Sequence, residues 1–159
     1  MKYYTHITKA LFWIAISFTH AVGATTDTWN ANGNGTVTDV ATALMWQQQD
    51  DSVRRNFQDA NAYCDDLVLA GYRDWRLPNI KELATIVDHR THSPALDLTA
   101  FIFDDDVDIF DDVEYWSTTT RANNISQTGR PMIIEFVSGN IDTGFTSQDY
   151  YVLCVRSYS

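Results

Sequence analysis

The sequence predicts an α+β domain: two helices packed on a small antiparallel sheet, with one disulfide. Three observations carry this. Strand-like runs with turn residues between them stand near both ends of the chain. Two capped, amphipathic helical segments lie in the middle. Two cysteines, Cys64 and Cys154, fall on the first helix and in the closing strand run. The order hairpin, helices, long loop and sheet is an α+β plan.

The first 24 residues read as an export signal rather than as part of the fold. Lys2 and Lys9 are the only charges before Asp27, and an apolar stretch from Ala10 ends in small residues at Val22 and Ala24. That is the n-region, h-region and cleavage pattern of a signal peptide, with cleavage expected after Ala24. The stretch is short and interrupted by Ser17, Thr19 and His20, which argues against a spanning helix. Residues 25–159 are then a single domain.

The first hairpin is read from Thr36-Val-Thr-Asp39 and Ala43-Leu-Met-Trp-Gln47, preceded by the turn cluster Asn30-Ala-Asn-Gly-Asn-Gly. A helix is expected over residues 56–70. Phe57, Ala60, Cys64 and Leu67 share one face, Asn56 can cap the start, and Gly71 can end it. Asn79 opens a second helix with Glu82 three residues on, a capping-box pattern, and Ile80, Leu83 and Ile86 form its apolar side. It is expected to run to about Asp88. Residues 89–113 look irregular. Strands then return at residues 114–118, 132–136, 140–143 and 150–155, with Ser138-Gly139 as a turn.

The chain has 159 residues, 11 Lys and Arg against 21 Asp and Glu, and a formal charge of −10. Loss of residues 1–24 would remove two lysines and no acid, leaving −12. Such a surface argues against nucleic acid and against docking on anionic lipid. Export places the cysteines in an oxidising compartment, where a pair reads first as a disulfide. Two buried thiols or a catalytic thiol are the other readings.

Several segments together resemble one family. Thr36-Val-Thr-Asp39 leads to Leu44-Met-Trp46, and Asp59-Ala60, Tyr63-Cys64 and Leu67 follow on the helix. Gly71-Tyr-Arg-Asp-Trp-Arg-Leu-Pro78 runs into Lys81-Glu-Leu83. Tyr115-Trp-Ser117, Phe136 with Gly139, and Cys154-Val-Arg156 complete the set. The sequence resembles the Lcl C-terminal-domain family, named after a collagen-like adhesin, over about residues 29–156. The resemblance implies an exported bacterial binding or adhesion domain of C-type-lectin-like topology. It also implies that the helix cysteine pairs with the one near the last strand. The Glu-Pro-Asn, Gln-Pro-Asn and Trp-Asn-Asp motifs of calcium-dependent sugar-binding lectins are missing, so no such sugar site is carried over.

Four sets of residues are candidate sites. Residues 104–114 hold seven acids. They read either as a solvated loop or as a calcium site using Asp104, Asp106, Asp108, Asp111 and Asp112. Asn30, Asn32 and Asn34 imitate calcium-loop spacing but lack the final acid, which favours a turn. His89 and His92 could share a metal if helix continued, but Pro94 argues against that. Trp46, Trp75 and Trp116 could stack on a sugar but are expected in the core. Arg76 is expected to be a buried arginine paired with Glu82 or Asp74. With Leu77, Pro78 and Arg156 it counts as part of the structural motif.

No nucleophile elbow, phosphate loop or His-Glu-x-x-His motif is present, so no enzyme is expected. The expected function is a periplasmic or extracellular binding module that presents residues 89–130 to a glycan or protein ligand. The rivals are a structural subunit of an envelope assembly and a hydrolase using loop carboxylates.

Overall fold

The computed structural model describes residues 29–91, 94–103, 113–121 and 129–158. The expected export signal, His92 and the acidic run holding the five calcium candidates lie outside the described residues.

The described residues form two antiparallel sheets, where one was expected. The first contains β1 (Trp29–Ala31), β2 (Thr36–Asp39), β3 (Leu44–Gln47) and β7 (Val155–Ser157), in the order β1-β2-β3-β7. The second contains β4 (Glu114–Arg121), β5 (Arg130–Glu135) and β6 (Asn140–Thr143), in sequence order. All of β2 and β3 is buried, so their polar groups need partners inside the protein. Asn32 Nδ2 donates to the hydroxyls of Thr36 and Thr38, and Asn34 Oδ1 accepts from Thr36. Asp39 accepts from the amides of Ala41 and Thr42, holding the loop at residues 40–43. The asparagine cluster is therefore a turn, with Asn30 in β1.

The first helix is shorter than expected. It is α1 (Phe57–Asp66), started by Asn56, whose side chain accepts from Asp59 N–H. Ala60 and Cys64 face the core as the periodicity required. The helix ends on Asp65 and Asp66, where negative side chains oppose the helix dipole and no basic residue offsets them. Gly71 does not cap it. Ala70 and Gly71, both at positive φ, make a tight turn between Leu69 and Tyr72, which bond each other in both directions. Leu67 and Leu69 continue the apolar pattern because they pack on the core from extended backbone.

The second helix is α2 (Ile80–Thr85), three residues short of the expected end. Its capping box is complete: Asn79 accepts from Lys81 and Glu82 amides, and Glu82 accepts from Asn79 N–H.

The closing run is not the single strand expected. Only Val155–Ser157 joins a ladder. Tyr150 pairs with Arg55, and the residues after it divide their hydrogen bonds between the sheets. Tyr151 exchanges bonds with Glu114 and Trp116 of β4, and Cys154 O accepts from Gln47 N–H of β3. The disulfide joins Cys64 to Cys154 across 90 positions, so it ties α1 to this buried connector.

Candidate functional site

The motif residues are structural. Trp46, Trp75, Leu77 and Trp116 are each at most 2% exposed, which removes them as a sugar platform. Arg76 extends the first sheet by pairing its backbone with Val155. Its side chain is 42% exposed, so it is not the buried arginine expected. It makes a two-point contact with Glu82, at 2.8 and 2.6 Å. Burial disfavours the Glu82 carboxylate, but Arg76 and the Asn79 amide outweigh it and hold its pKa down. The buried arginine is Arg156, 7% exposed, which takes Asp74 at 2.8 Å and stacks over Tyr72. Pro78 O accepts from Thr118 N–H, and Thr119 accepts from Ile80 N–H, so the motif also seats β4 against α2.

A groove of about 250 Å³ runs along residues 47–50. Gly35, Leu67, Leu69 and Ile102 line it together with residues 47–50. Its position follows from the elements beneath it. β3 ends at Gln47, and the chain leaves the sheet through Gln48 to Asp50 at the surface. Gln48 pins two segments with three bonds: its N–H donates to Gly35 O, its carbonyl accepts from Ile102 N–H, and its side chain donates to Ala100 O. Gln47 donates to Tyr63 OH at 2.9 Å and accepts from Cys154 N–H at 3.2 Å. The groove wall is therefore fixed to both halves of the disulfide region.

Below the groove lies a slot of about 10 Å³, room for about one water. Gln48, Asp50 and Ile102 line both spaces, and Tyr115 lines the slot. Tyr115 donates to the Asp50 carboxylate. Burial first, and then the Asp50 charge, pushes the phenol well above its ordinary value of 10.0. It therefore stays a neutral donor at neutral pH, and Asp50 stays anchored.

Among the described residues of the expected ligand region, residues 89–130, Ile102 is the one that lines the groove. His89 is exposed. Among the described residues no three His, Cys, Asp or Glu side chains are grouped to hold a metal, and no helix is long and apolar enough to cross a membrane. Sequence reasoning missed Gln47, Gln48 and Asp50. The one signal was a run of three glutamines and two acids that begins on the last residue of a buried strand.

A search of curated proteins returned no significant match. The sequence pattern of the Lcl C-terminal domain matches residues 35–156, from the turn before β2 to Arg156 at the buried ion pair. With that match across most of its length, the chain belongs to the Lcl C-terminal domain family.

Proposed function

We propose that this chain is an exported binding or adhesion-type module, and that the groove along residues 47–50 is where it meets a glycan or protein ligand. The observation that carries the reading is the groove's construction. Its polar wall is held by Gln48 bonds to Gly35, Ala100 and Ile102, and by Gln47 bonds to Tyr63 and Cys154. A surface held this way loses little conformational freedom on binding. Family membership supports an adhesion-related role. The disulfide supports an oxidising compartment, periplasm or cell exterior. It also supports the C-type-lectin-like relation, since it joins the first helix to the segment before the last strand.

The test is a glycan and peptide array probed with oxidised protein and with Ile102→Glu. Ile102 is half-exposed, so the change leaves the core intact. Ligands retained by the native chain and lost by Ile102→Glu support the reading. Ligands retained equally by both place the binding face elsewhere. An envelope subunit would instead capture no array ligand and sediment as an assembly.

A further inference from the structure

We infer that the groove receives a short basic segment of a partner protein; this rests on the groove being the binding face. Charge is the first argument. Acidic Asp50 lines the groove, and no Lys or Arg is among its described lining residues; Arg55, whose charge also acts on Asp50, is itself paired with Asp51. Asp65 and Asp66 are exposed and end α1 directly before Leu67, which forms the groove wall. Their charges add to the negative end of the helix dipole, and the last turn contains no basic residue. A cation brought to this end of α1, next to the groove-lining Leu67, gains from both sources. The chain as a whole carries −10, which speeds the approach of a basic partner and repels an acidic one.

Shape and lining point the same way. The apolar walls are aliphatic: Leu67, Leu69 and Ile102. They suit an aliphatic side chain better than a sugar face, which stacks best on aromatic rings, and Trp46, Trp75 and Trp116 are all in the core. At about 250 Å³ the groove lies below the usual range of about 300–1,000 Å³ for small-molecule sites. It fits one or two side chains of a longer segment. A Lys or Arg in such a segment can lay its methylene stem on the leucines and hold its charge at the acidic rim.

The experiment is fluorescence anisotropy on the oxidised full chain with two labelled peptides of equal length, one alternating Lys and Leu, the other alternating Glu and Leu. The Lys peptide should bind and the Glu peptide should not. Asp65→Asn with Asp66→Asn should weaken binding about fivefold, the scale of two exposed charge contacts. Ile102→Ser should weaken it as well. Asp142→Asn with Asp149→Asn makes the same charge change away from the groove and should leave affinity unchanged. Equal weakening by both double variants would reduce the effect to general attraction and overturn the proposal. Binding of the Glu peptide or a neutral oligosaccharide, lost on Ile102→Ser, would overturn the basic-partner assignment while keeping the groove. Binding of the Lys peptide that ignores Ile102→Ser would overturn both.

Discussion

Gln47 Oε1 accepts the Cys154 amide proton at 3.2 Å, so a residue at the end of β3 is tied to the connector that carries half of the disulfide. Its amide group also donates to Tyr63 OH. Replacement by Leu keeps the volume roughly but leaves the Cys154 N–H without this partner in a fully buried site. The expected cost is about 1–3 kcal/mol. Urea unfolding of Gln47→Leu should show a lower midpoint with unchanged slope. An unchanged midpoint would mean that the amide is satisfied another way.

The covalent tie itself should matter more. Closing a loop across 90 positions removes unfolded-chain entropy worth about 4–5 kcal/mol on the chain-entropy model. Cys64→Ala with Cys154→Ala should lose a large part of that, read as a drop in the urea midpoint. A double variant as stable as the oxidised protein would show that the connector's hydrogen bonds suffice.

Gly144 is required by space. A Cβ there would run into Tyr150 Cε2 and lie 2.9 Å from the Trp116 ring. Both rings are buried and pack edge to face, so neither can swing away cheaply. Gly144→Ala should destabilise by about 1–3 kcal/mol, the usual cost of overpacking, seen as a lower melting temperature. An unchanged melting temperature would show that this corner yields.

Acid stability should follow the carboxylates of Glu82, Asp74 and Asp51. Arg76 lowers the first against the cost of burial, Arg156 lowers the second, and Arg55 lowers the third, again against burial. A depressed carboxyl contributes stability that is fully present above its unfolded value, 4.5 for Glu82 and 3.8 for the aspartates. That stability is lost as pH falls through the lower folded value. The melting temperature should therefore be flat near neutral pH with respect to these groups and fall below about pH 4.5. Arg76→Gln should lower it at neutral pH and make the acid fall shallower. A variant whose acid fall matches the native one would contradict the role given to Arg76.

The local signals were the legible ones. Asn56 and Asn79 with Glu82 marked both helix starts because capping is a short-range exchange of hydrogen bonds. Asn140–Thr143 was readable from the turn before it and its strand-like residues. The helix end at Asp66 was obscured because Leu67 and Leu69 keep an apolar spacing while serving the core from extended chain. The closing run looked like one strand because an apolar sequence does not show which sheet each residue bonds. Tyr151 bonds β4 and Cys154 bonds β3, and that division makes two sheets from the one expected. The groove was harder still. Gly35, Gln48, Leu69 and Ile102 are far apart in sequence, and each is unremarkable alone. Arg156 rather than Arg76 is buried because burial of an arginine depends on what packs over it, here Tyr72.

The most direct test of the binding face is a backbone amide NMR titration of the oxidised, isotope-labelled chain with a ligand retained from the arrays. Shifts should concentrate at Gln47, Gln48, Asp50, Leu67, Leu69 and Ile102, and Ile102→Glu should abolish them. Shifts centred on β6 or on the loop at residues 40–43, with the groove amides unmoved, would contradict it.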